Sequence, residues 1–100
     1  MTYNQLNAKV DGNQSQIVAE LRALGFDVDL VHRLKKLYDI LVTGYDRRRD
    51  CVRALRVEIK MPKEKLTDDE REYWEKQKHR ENLMIATSTN EVLHWFGWEL

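Results

Sequence analysis

One hundred residues make a single domain, residues 1–100, with one modest core. Seventeen basic residues balance seventeen acidic ones and 42% of the chain is hydrophobic, which is the composition of an ordinary soluble globular domain. The lone Cys51 excludes an internal disulfide and a thiolate metal cluster; with no apolar span of about 18 residues and no secretory leader, a cytoplasmic chain with no membrane partner is expected.

Residues 1–10 have no clear period and read as a loose lead-in without a function. Asp11-Gly12-Asn13 supplies a helix start, after which Ile17, Val18, Leu21 and Leu24 recur at helical spacing until Gly25 stops the helix. At about 100° per residue Gln14 falls on the same stripe, so its amide points inward at the helix start. Phe26 to Val31 alternates as a first strand, and His32 to Lys36 joins it to a second. That second run, Tyr38 to Tyr45, is apolar and β-branched, which predicts a strand buried on both faces that begins beside Asp39. Asp46-Arg-Arg-Arg-Asp50 then reads as a hairpin loop, either a basic finger for DNA or a solvated turn.

In Val52 to Lys60, Leu55, Val57 and Ile59 alternate with Arg56, Glu58 and Lys60. Successive strand side chains point to opposite faces, so Glu58 and Lys60 share one face while Val57 and Ile59 bury on the other. If this strand pairs with its predecessor, Asp39 and Glu58 lie close enough to hold one cation. Two carboxylates, the backbone carbonyl of Ile59 and several waters suit magnesium, with manganese as a substitute, whereas the thiolate or imidazole clusters that suit zinc are missing. Lys60 would orient the nucleophile or neutralise charge developing on a phosphate.

Met61-Pro62 ends the strand, with Lys63 and Lys65 just beyond. Thr67-Asp-Asp-Glu70 is a capping box that starts a helix running to about Asn82, with Tyr73, Trp74 and Gln77 inward and an acidic outer face turned away from DNA. Leu83 to Ala86 reads as a short buried strand, parallel to the Glu58 strand because a helix separates the two. Ser88-Thr-Asn-Glu91 repeats the capping box before Val92, Leu93 and Phe96, completing an αβββαβα order. Trp95, Phe96 and Trp98 crowd the end of the domain, where they serve either a homodimer contact or plain core packing.

Tyr38-Asp39 followed by Glu58-Ile59-Lys60 resembles the motif of the PD-(D/E)XK nuclease superfamily, and the chain is most similar to its small stand-alone VRR-NUC-like and Holliday-junction-resolvase-like members. Further similarity lies in Asp11-Gly-Asn-Gln14, Ile17-Val18, Leu21-Arg22, Gly25-Phe26 and Leu66 to Glu70, so it spans roughly residues 11 to 97. The resemblance implies an α/β, restriction-endonuclease-like domain with a central mixed sheet flanked by helices. It also implies a magnesium-dependent DNA endonuclease acting in repair or recombination, with structure specificity for branched DNA or a Holliday junction as the further expectation. Asp39, Glu58, Lys60 and Gln14 would be catalytic, and Asp39, Glu58 and Ile59 would hold the metal. The segment after the first strand approaches substrate in these families, which makes Arg33, Lys35 and Lys36, along with Lys63 and Lys65, candidate phosphate contacts. Two positions depart from the pattern: Tyr38 stands where a proline is usual, and Gln14 stands where many resolvases carry a helical glutamate. A neutral amide there implies one tightly held metal.

Net charge is zero, yet Val31 to Lys65 carries eleven Lys or Arg against five Asp or Glu, a polarity sufficient for an enzyme that grips phosphates. Two other classes compete with the nuclease: a nucleic-acid-binding module of the same fold with degenerate chemistry, and an assembly protein whose Glu58 and Lys60 face solvent.

Overall fold

The alternating run that ends in Glu58 and Lys60 forms the strand about which the other elements are arranged. The computed structural model describes residues 13–31, 38–77 and 82–100. Their order is α1 (Gln14–Ala23), β1 (Asp27–Leu30), β2 (Ile40–Asp46), β3 (Cys51–Ile59), α2 (Asp68–Gln77), β4 (Leu83–Ala86) and α3 (Thr89–Trp95). One four-stranded sheet has the order β1-β2-β3-β4. The first three strands form an antiparallel meander, and β4 runs parallel to β3 as its separation by a helix requires. The chain is thus a small α/β domain with a mixed sheet, in the element order read from the sequence.

Strand register sorts the side chains onto two faces. Val28 pairs with Val42, Val42 with Leu55, and Ile40 with Val57, so one face is continuously apolar. Ile17, Val18 and Leu21 of α1, with Val92 and Leu93 of α3 and Phe96, cover that face. Each such side chain, fully buried, contributes roughly 1.5–3 kcal/mol.

The opposite face is only partly covered, which corrects the expectation that β2 is buried on both sides. Tyr45 pairs with Val52, and the two are 49% and 67% exposed. The cause is the placement of α2, which lies over β3 and β4 alone. Arg56 on this face donates to the Tyr73 hydroxyl at 2.7 Å and to Gln77 Oε1 at 3.3 Å.

Two helix ends differ from the sequence reading. Leu24 is 46% exposed rather than on the inward stripe, because α1 ends at Ala23 and the chain turns away through Gly25, whose φ of 96° is one that L side chains rarely adopt. Asn13 precedes α1, but its side chain makes no cap hydrogen bond and instead donates to the Thr87 and Lys60 carbonyls. The Ser88/Glu91 capping box of α3 forms as predicted.

The arginine loop, Arg47 to Asp50, is an exposed turn that is held against the end of α3. Asp46 belongs to β2 and is fully buried, accepting from the backbone amides of Arg48 and Arg49 at 2.9 and 3.1 Å. Arg47 N–H donates to the Phe96 carbonyl at 2.8 Å while its guanidinium stacks 3.9 Å from the Trp98 ring centroid. Arg48 donates to the His94 carbonyl at 2.6 Å, capping the end of α3. A Cβ at Gly97 would lie 2.9 Å from Arg47 Cβ and Arg48 N, so only glycine permits this close docking. The loop clasps the C-terminal turn. Phe96 is fully buried, and the half-buried Trp95 and Trp98 pack against the core, so these aromatics take part in core packing.

Candidate active site

Asp39 immediately precedes β2, and its N–H donates to the Val57 carbonyl at 3.0 Å. This extends the β2–β3 register by one step and sets Asp39 opposite Glu58, as the pairing argument required. One carboxylate oxygen of Asp39, Oδ2, accepts from the Ile59 N–H at 2.7 Å. Ile59 therefore contributes its amide to fixing Asp39. Lys60 follows β3 and is tied to β4 by its N–H, which donates to the Ala86 carbonyl at 2.9 Å.

Glu58 and Lys60 share a face but do not face solvent: they are 5% and 6% exposed. The cause is again α2, whose first turn carries Glu70 over the end of β3. Lys60 Nζ lies 2.7 Å from Glu70 Oε1, 3.5 Å from Glu58 Oε2 and 3.7 Å from Glu64 Oε2. Leu66, Tyr73 and Trp74 close over Glu58 and leave a cavity of about 10 Å³, room for about one water. Two roomier pockets, of about 180 and 240 Å³, lie elsewhere: one beside Trp98 and Arg47, at the end of β2 away from Asp39, the other between the starts of α1 and α3.

Four carboxylates around one ammonium leave the cluster strongly acidic, and the proton affinities reflect it. Burial, then the charges of Asp39 and Glu70, push the Glu58 carboxyl up to about 9. Burial likewise raises Asp39, against the opposing hydrogen bond from Ile59. For Lys60 burial works against the charged form, but contact with Glu70, Glu58 and Glu64 outweighs it and holds the ammonium above the usual lysine range. Glu70 is held below the usual range because Lys60 and the Thr67 amide outweigh its burial.

Glu58 Oε1 is buried without a hydrogen-bond partner. The carboxyls of Asp39 and Glu70 lie within hydrogen-bond reach of Glu58, which without metal keeps a proton to share with them; once that proton leaves, the carboxylates offer only acceptors to one another. Two neighbouring buried carboxyls are oxygen ligands of the kind a hard divalent cation takes, so Asp39 and Glu58 could hold one in place of that proton. Among the described residues no group of three or more His, Cys, Asp or Glu side chains is arranged to hold a metal by itself. Glu70, the third acid nearby, is engaged by Lys60 and by the Thr67 N–H at 2.9 Å.

The other sequence candidates are distributed differently. Gln14 opens α1 and is half-buried; the side chain from this region that reaches the end of β3 is that of Asn13. Lys63 and Lys65 are exposed just past Lys60. Arg33, Lys35 and Lys36 lie outside the described residues. Sequence reasoning missed Glu70, which it assigned to a helix cap alone. The available signal was the position of the capping box shortly after Lys60, because a crossover helix starting there must return across the strand it has just left.

Comparison of the chain with protein-family models, with curated proteins and with solved structures returned no match. Among the described residues no helix is long and apolar enough to cross a membrane.

Proposed function

We propose that this chain is a metal-dependent DNA endonuclease of restriction-endonuclease-like fold, acting on branched DNA. The observation that carries the reading is the meeting of Asp39, Glu58 and Lys60 at one end of β2 and β3, with Glu58 Oε1 buried and unpartnered. When bound there, a divalent cation supplies the charge that lets a phosphodiester approach these acids and that acidifies water for attack. Asp39, fixed by the Ile59 amide, would offer its other oxygen to that cation. Glu58 supplies a second oxygen from a site that excludes water, where electrostatic interactions are stronger. Lys60 places a positive donor beside the same carboxylates, positioned to meet charge on the phosphate. Lys63 and Lys65 extend the positive surface outward, as Arg33, Lys35 and Lys36 would on the connection before β2.

One observation favours the second reading, a DNA-binding module with degenerate chemistry: α2 covers Glu58, and three carboxylates already claim Lys60. A single experiment separates the two. Purified protein is incubated with branched and linear DNAs in magnesium, manganese or chelator, beside Asp39→Asn, Glu58→Gln and Lys60→Ala. The nuclease reading expects metal-dependent cleavage, lost by about a hundredfold or more in each variant. Binding without cleavage under all conditions selects the module, and a variant that cuts at the wild-type rate removes its residue from the site.

A further inference from the structure

The three carboxylates near Lys60 do not hold it equally. Glu70 Oε1 stands 2.7 Å from the ammonium and Glu58 Oε2 3.5 Å. Glu70 is also the more firmly placed, since its carboxylate accepts from the Thr67 N–H at 2.9 Å while its own N–H donates to Thr67 Oγ1 at 3.2 Å. A lysine stem is flexible, and Glu58 sits two positions away on the same strand face. The Lys60 ammonium can therefore close on Glu58, and the tighter hold of Glu70 is what opposes that closure. Glu58 supplies the independent observation: its side chain is 6% exposed and its Oε1 has no hydrogen-bond partner.

We infer that Glu70 is a positioning residue that holds the Lys60 ammonium off Glu58 and so keeps Glu58 Oε1 open as an acceptor for a divalent cation. The inference rests on the metal-dependent reading above and brings the first turn of α2 into it. Removal of the Glu70 charge leaves Glu58 as the nearest buried partner for Lys60. The ammonium then closes on Glu58, holds it as its paired carboxylate and takes the oxygen that the cation needs. A general loss of negative charge would also weaken cation binding, but to the same extent whether or not Lys60 is present. Dependence on Lys60 is the distinguishing mark.

The test is Mn²⁺ binding without nucleic acid, read from the free-ion electron paramagnetic resonance signal, in the wild type, Glu70→Gln, Lys60→Met and the double variant. Glutamine at this position preserves the capping box. Glu70→Gln is expected to weaken Mn²⁺ binding by about ten- to a hundredfold, the size of effect usual for residues that orient metal ligands. In the Lys60→Met background the same change is expected to cost little. Equal losses in both backgrounds, or no loss in either, overturn the inference. Where circular dichroism shows Glu70→Gln unfolded, Glu70→Asp, which shortens the arm to Lys60, is read in its place with the same expected direction. Wild-type protein that binds Mn²⁺ in this pattern but cuts no DNA overturns the nuclease reading alone. Protein that cuts DNA with equal Mn²⁺ losses overturns the positioning role alone, and protein that binds no Mn²⁺ overturns both.

Discussion

A carboxyl pushed up to about 9 keeps in the folded chain a proton that the unfolded chain has released near neutral pH. Linkage fixes the sign: the stability Glu58 contributes is complete below the ordinary glutamate value of 4.5 and is lost as pH rises through about 9. Asp39, also raised by burial, acts in the same direction. Melting temperature in chelator should therefore fall as pH is raised from about 5 to about 9, and Glu58→Gln should flatten that fall. An unchanged slope in the variant would assign the titration elsewhere. Asp46 has the opposite sign. Burial opposes its charge, but the Arg49 and Arg48 amides and the Arg53 guanidinium outweigh that and lower it. Its contribution is present above the usual aspartate range and is lost as pH falls through its folded-state value. Asp46→Ala should cost about 2 to 3 kcal/mol in urea unfolding, because two turn amides and Arg53 lose their acceptor. At this scale Asp39, Glu58 and Lys60 were legible, since period two alone decides which strand residues share a face. Asp46 and Glu70 were not, because each acts through a partner whose position only the folded chain defines.

The elements differ in how they are attached. α1 and α3 bury apolar residues in the core, whereas α2 has no fully buried residue. Polar contacts hold α2 to the sheet: Lys60 to Glu70 at one end, Arg56 to Tyr73 and Gln77 at the other. Such an element opens at lower free energy than the strands beneath it. Amide hydrogen exchange is expected to be faster in α2 than in β2 and β3, and Arg56→Met should accelerate it in α2 alone. Faster exchange throughout would mean that Arg56 supports the whole sheet. The helices were legible because both capping boxes are local patterns. The exposure of β2 on one face was not, because an apolar β-branched run is compatible with either one or two covered faces and the reach of α2 decides between them. The arginine loop was legible in part: three adjacent charges mark an exposed turn, but its hold on Trp98, the α3 carbonyls and Asp46 depends on the folded chain.

At the scale of the molecule, zero net charge conceals an uneven surface. With Arg47, Arg48 and Arg53 engaged internally, Lys63 and Lys65 are the exposed basic residues nearest the carboxylates among the described candidates. Lys63→Ala and Lys65→Ala should each lower the slope of log affinity for DNA against log salt by about one. Filter binding at several salt concentrations measures this, and unchanged slopes would move the DNA path off the β3 end. The overall αβββαβα order was legible, because the chain alternates its periods cleanly and the crossover rule fixes the direction of β4.

That crossover also sets an order in time. β1, β2 and β3 each pair with the strand next to them in sequence, so the meander forms from short-range contacts. The pairing of β4 with β3 and the arrival of Glu70 at Lys60 must wait for the intervening chain to close, and more distant closures are slower. Until then Glu58 and Lys60 stand in water on a finished edge, and it is the closing of the crossover that dehydrates them.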